Sequence, residues 1–207
     1  MAKAGSASRK TRIQAQNEEL ILKAALEAFS AYGFRGATVD QIAANCGLSK
    51  PNLLYYFRRK EDIYIAVLEH TLQGWLEPLR QMDPDGEPIA EITRYIRTKI
   101  RLSRDNPKAS RLFANEILHG ATAIGQYLKG PLKDLVDEKA AIIRRWSDEG
   151  RLNPVDPYHL IFAIWATTQH YADFETQVTA VVGNPPDLMS KAEETLTTLL
   201  VEGLRPR

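Results

Sequence analysis

A single cysteine, Cys46, stands among the 207 residues, so no internal disulfide can form and a reducing compartment is the expected setting. It closes a helical stretch beside a turn, which is the place of a small buried filler rather than a nucleophile. No apolar run approaches the roughly 20 residues needed to span a bilayer, and the opening MAKAGSASRKTR lacks the apolar stretch of a secretion signal. A cytoplasmic protein without membrane contact is expected. The four histidines, His70, His119, His159 and His170, are scattered; HExxH, paired Cys-His spacing, G-x-S-x-G and a glycine-rich phosphate loop are all missing. Asp173 follows His170 by three residues with no nucleophile beside the pair, so an enzyme is disfavoured and neither metal nor cofactor is expected. Alternating β-branched runs are missing too, which leaves an all-α fold of about nine or ten helices. Hydrophobic residues at 44% suffice for a real core.

What is present is an uneven charge. Residues 1–60 hold ten Lys or Arg against four acids, a net +6, while the remainder holds 17 basic and 22 acidic residues, a net −5. The near-neutral total of +1 therefore hides a basic head on an acidic body, as expected if only the head meets phosphate.

Within that head, TVDQIAANCGLSKPNLLYYFRRK at 38–60 reads as two short helices broken at Gly47. Thr38 and Gln41 form a capping-box pair for a helix running to about Cys46. Gly47 supplies the positive φ of a helix end, Leu48 an apolar plug, Ser49 the next cap, and Pro51 falls in a first turn where a missing amide costs little. Ile42, Ala43, Leu48 and Leu53 would face inward, leaving Lys50, Asn52, Tyr55 and Tyr56 to an outside partner. This is the pattern of a helix-turn-helix, whose second helix enters the DNA major groove.

Residues 1–16 are small, basic and aperiodic, and are expected to form a disordered arm. From Asn17, an expected cap, a helix carries Leu20, Ile21, Ala24, Ala25, Ala28, Phe29 and Tyr32 on one stripe and ends at Gly33. The domains are set at 17–64 for the helix-turn-helix head and 65–207 for the body. A rod from near Lys60 toward Pro78 joins them. The body helices follow Pro88, run from Pro107 to His119 and from Pro131 to Gly150, open at Asp156-Pro157 and continue to Gly183, and finish beyond Pro186.

The head resembles the DNA-binding domain of the TetR family through AFSAYGF and T-x-x-x-I-A-x-x-x-G-L-S-x-x-x-L-x-Y-Y-F-x-x-K-E, over residues 20–68. Beyond it, SKPNLLYYF, SRLF at 110–113, DEK at 137–139 and HLIFAIWATTQHYADFETQV at 159–178 are similar to the members of that family that sense uracil and regulate pyrimidine utilisation. The resemblance implies DNA contacts from Thr38, Ser49, Lys50, Asn52, Tyr55 and Tyr56, with Lys60 gripping a phosphate at a helix N-terminus. Leu54 replaces the tyrosine many members carry there, so that phosphate contact is lost or passes to Tyr56. Lys50 and Asn52 suit base readout, since ammonium donates to guanine and an amide pairs both ways with adenine. One recognition helix reads too few bases, so a homodimer on a palindromic operator in double-stranded DNA is expected, and the resemblance places its interface on the helices at 131–149 and 157–182.

A body larger than its head implies a small-molecule effector, and the resemblance names uracil or a related pyrimidine. Trp165 and Gln169, four apart, share a helix face. An indole offers a stacking surface and an amide offers one donor and one acceptor, which suits a flat ring with carbonyls and N–H groups. Arg111 or a nearby backbone amide is placed on the second carbonyl, Glu116 or a main-chain carbonyl on the second N–H, and Phe113 on the apolar wall, with Trp75 also counted among the effector residues. The competing readings are a repressor of the same type with a hydrophobic drug-like or lipid effector, a helical enzyme, and a packed-helix scaffold without DNA.

Overall fold

The computed structural model describes the backbone of residues 4–206 and the side chains of residues 12–206, all in helices and their connections. The head comprises α1 (Ala4–Gly36), α2 (Val39–Asn45) and α3 (Lys50–Tyr56). Its core gathers Ile21, Ala25, Phe29, Ile42, Leu53 and Ile63, each at most 1% exposed. Positive φ at Gly33, 66°, breaks α1 before its last turn, and Gly47, φ 70°, reverses the chain between α2 and α3.

α4 (Lys60–Arg80) leaves the head and enters the body, where α5 (Pro88–Asp105), α6 (Pro107–Leu118), the short α7 (Gly125–Tyr127), α8 (Lys133–Asp148), α9 (Pro157–Asp173), α10 (Glu175–Val182) and α11 (Leu188–Val201) follow. Helix starts follow the residues that cap them. Glu87 accepts from the amides of Ile89 and Ala90 ahead of α5, and Asp156 accepts from His159 ahead of α9. α5 is the centre of the body, packed on α9 and α11, while α6 bridges α1 and α9. Trp146, fully buried on α8, donates its indole N–H to the carbonyl of Pro84 at 3.0 Å.

Three expectations need correction. The arm expected to be disordered is helical from Ala4, with Met1 to Lys3 outside the described residues. Its Ala, Lys, Arg and Gln are good helix formers with no proline among them, so α1 propagates backward through Asn17. That asparagine is no cap; its amide donates to the Tyr56 hydroxyl at 2.8 Å. The single helix expected from Pro157 to Gly183 breaks at Phe174, φ −113° and ψ 29°. Side chains of α6 hold the break: Ser110 donates to the Asp173 carboxylate, and Arg111 donates to the Ala172 carbonyl at 3.2 Å and to Glu175 at 2.6 Å. The helix expected from Pro131 is entered through a wider π turn, Leu128–Leu132, because proline in the turn has no amide to donate. With these breaks the described residues hold eleven α-helices rather than nine or ten.

Both halves of the α2 capping box are made: the Gln41 amide donates to Thr38 Oγ1 at 3.2 Å, and the Thr38 amide donates to Gln41 Oε1 at 2.9 Å. Thr38→Ala is expected to lower stability by about 1 kcal/mol in urea unfolding. No measurable change would mean that the cap is redundant.

Candidate functional site

The turn between α2 and α3 is fixed from within, which frees the outer face of α3. Ser49 accepts from the Asn52 amide at 3.4 Å, Cys46 is half-buried and donates its thiol to the Ala43 carbonyl at 3.4 Å, and Leu53 is fully buried. Opposite Leu53, Lys50, Asn52 and Tyr55 are exposed, Tyr55 at 73%. A tyrosine left so open is not core packing. Its ring meets Tyr56 edge-on, 5.4 Å between centroids, while Tyr56 is half-buried and held by Asn17. Lys50 pairs with Asp40 at 2.9 Å, both ends exposed. An exposed pair of this kind is worth roughly 0 to 1 kcal/mol, little enough for a guanine or a phosphate to replace the carboxylate.

Lys60 departs from expectation. Its ammonium is turned inward, donating to the Ala37 carbonyl at 2.9 Å and lying 4.6 Å from the centre of the Phe34 ring, so it ties α4 to the end of α1 instead of facing outward. Arg58 and Arg59, just before α4, stay exposed, with Arg59 bonded to Asp62 at 2.9 Å. That bond holds the Asp62 carboxyl below its usual range. In the sequence these two exposed cations appear as the arginine doublet before Lys60.

In the body, the six residues expected at the effector divide into two groups. Arg111 and Glu116 are committed elsewhere. Arg111 is bound to Glu175 and the Ala172 carbonyl across the α9 break. Glu116, 7% exposed, accepts from the Tyr64 hydroxyl at 3.1 Å and from the Ala123 amide at 2.7 Å. Burial, then the charge of Glu116, pushes the Tyr64 phenol well above its usual pKa. Both residues border an open cleft of about 820 Å³ between the end of α1 and α6, not an enclosed ring site.

Trp75 and Trp165 touch α5 directly, Phe113 meets Trp75, and Gln169 is half-buried on α9, which packs on α5. Trp75 is 5% exposed and meets Phe113 edge-on at 5.8 Å, and Lys99 of α5 sits over the Trp75 indole with Nζ 4.6 Å from its centre. One turn back on α5, the buried Tyr95 accepts the Trp165 indole N–H at 2.6 Å. Tyr95 and Lys99 share a face of α5, as Trp165 and Gln169 share a face of α9. The two tryptophans therefore address neighbouring positions of one α5 surface. No sequence motif marks Lys99, because only tertiary packing takes it out of water.

Farther along α9 and α10, Phe162, Phe174, Val181 and Val182 are exposed by between 49% and 76%. No helix among the described residues is long and apolar enough to cross a membrane, and no metal-binding cluster occurs among them.

Residues 21–67 match the model of bacterial regulatory proteins of the tetR family, and residues 68–207 match the YcdC-like protein C-terminal region. The HTH-type transcriptional regulator RutR of Escherichia coli K12 is 48% identical over 202 residues, spanning 96% of this chain and 95% of that protein. The HTH-type transcriptional repressor NicS of Pseudomonas putida is 30% identical over 120 residues, 54% of this chain and 55% of its own. Among solved structures, the ketosteroid transcriptional regulator KstR2 of Mycobacterium tuberculosis aligns with a TM-score of 0.71 at 16% identity, covering 92% of this chain and 95% of that one. AibR, solved with isovaleryl coenzyme A and operator DNA, aligns at 0.65 and 20%, covering 89% and 98%.

Proposed function

The chain belongs to the tetR family of bacterial regulatory proteins and is a transcriptional regulator, and we propose that it controls pyrimidine utilisation as a repressor released from its operator by uracil or a related pyrimidine. The observation that carries this reading is the near-full-length similarity to RutR, 48% identity over 96% of the chain. The exposed face of α3 supplies the DNA half. Lys50 and Asn52 read base edges, Tyr55 and Arg58 meet the backbone, and the +6 head draws in the duplex.

Two copies are required. Half-sites one helical turn apart, about 34 to 36 Å, are matched by a two-fold dimer whose contact is the α8–α9 face, where Phe162 and Phe174 await cover. Ligand in the body favours a spacing of the heads that no longer fits successive grooves. The coupling is reciprocal, about 1 to 3 kcal/mol or roughly five- to 150-fold in affinity.

A gel-shift titration tests it. Retention of a symmetric operator is expected to fall as uracil is added, and a Gln169→Ala protein is expected to keep its operator at every uracil concentration. Wild-type complex untouched by millimolar uracil removes the pyrimidine assignment and leaves DNA binding standing; a monomer in sedimentation at micromolar concentration removes the dimer.

A further inference from the structure

Lys99 is 2% exposed, yet its Nζ makes no hydrogen bond or ion pair with the described residues. Its nearest polar influences are the face of the Trp75 indole and the charge of Asp173, whose carboxylate already accepts from Ser110. Burial drives the ammonium down to about 7, with Asp173 pulling weakly the other way. The Nζ is not among the fully enclosed side-chain atoms left without a partner, so it keeps a small opening. A nearly buried amine that meets no carbonyl or carboxylate of the chain is a costly feature, and a position that served only packing would be better filled by Leu or Met. The donors call for an acceptor that the chain itself does not supply.

The surroundings narrow its class. The indole of Trp75 turns its face to the ammonium and Phe113 meets that indole edge-on, and Ser103, 1% exposed, lies one turn farther along α5. Arg111, the cation expected to meet a carbonyl, is held by Glu175. Lys99 is the cation left inside the body near Trp75.

We propose that Lys99 is the specificity-determining donor of the effector site, binding one carbonyl oxygen of a planar heterocycle that lies against Trp75 and Phe113. The assignment rests on the pyrimidine reading above and deepens it. It gives the ring one point of strong polar recognition on α5, the helix on which α9 with Gln169 packs. A ring without that carbonyl leaves the buried amine unanswered and is rejected.

The test is calorimetric titration of the full-length protein with uracil and with the two pyrimidinones that each lack one of its carbonyls. Wild type is expected to bind uracil and to lose about tenfold or more in affinity when the carbonyl that meets Lys99 is removed. Lys99→Met is expected to bind uracil at least about fivefold more weakly, to be indifferent to the loss of that same carbonyl, and to melt no lower than wild type without ligand, since an unanswered buried amine has been removed. A merely structural lysine would give the reverse, lower melting with unchanged discrimination. If the Met variant is unstable, Lys99→Gln carries the same comparison. Uracil binding by the variant within fivefold of wild type, or undiminished discrimination, overturns the role of Lys99 and leaves the pyrimidine reading intact. Wild-type protein that binds no uracil overturns both.

Discussion

Asn52→Ala is expected to lower operator affinity by about 2 to 6 kcal/mol, or roughly 30-fold to more than 10⁴-fold, measured by fluorescence anisotropy at fixed salt. A bidentate amide–adenine contact is worth about 1 to 3 kcal/mol of discrimination, and a two-fold dimer makes it twice. The fold is untouched, because the Asn52 side chain is exposed and only its backbone amide serves the Ser49 cap. Specificity separates this contact from a phosphate grip: the variant keeps its weak affinity for random duplex, so the preference for operator collapses. Lys50→Met tests its neighbour. If Lys50 meets phosphate, the loss is uniform across sequences and the salt slope shrinks; if it meets guanine, one base position becomes degenerate. Operator affinity within threefold of wild type for Asn52→Ala would remove α3 residue 52 from the readout.

Glu116→Ala is expected to cost about 3 to 6 kcal/mol in urea unfolding, the sum of two hydrogen bonds to a charged group at roughly 1.5 to 3 kcal/mol each. The residue is 7% exposed, so solvent gives little compensation to the Tyr64 hydroxyl and the Ala123 amide it leaves behind. Domains of this size have about 5 to 15 kcal/mol to lose, so much of the stability is at stake. The position also joins body to head. Tyr64 stacks edge-on against Phe29 at 5.1 Å and contacts Phe34 at 4.9 Å, both on α1, and α1 packs on α6. Glu116 thus ties α6 to Tyr64, which packs on α1, beside the direct packing of α1 on α6. Tyr64→Phe, which removes one bond and keeps the ring, is expected to lose less stability and to weaken the response of operator binding to uracil. Glu116→Ala within 1 kcal/mol of wild type would sink the joint.

The two turns and the exposed face of α3 were legible in the sequence, because their determinants are local. A capping box, a left-handed glycine and a Ser-x-Pro start act within four residues of one another, so Thr38, Gly47 and Ser49 fix their turns whatever packs around them. The effector wall was legible only in part. Trp75 and Trp165 touch α5, Phe113 meets Trp75, and Gln169 lies on α9, which packs on α5. Arg111 and Glu116 instead bind partners that stand 64 residues and 52 residues away along the chain. Side-chain type announces that such a group wants a partner; it does not say which one arrives.

Composition and periodicity alone determined the all-helical fold, the basic head and the outward face of α3, since charge distribution and helical spacing are properties of short stretches of chain. Tertiary packing decided where the cations point. It turned Lys60 inward to the Ala37 carbonyl, locked Arg111 to the α9 break and sealed Lys99 beneath Trp75. The physical reason is that the state of a long charged side chain depends on which distant helix removes its water, and only the packed body brings α5, α6 and α9 close enough to do so.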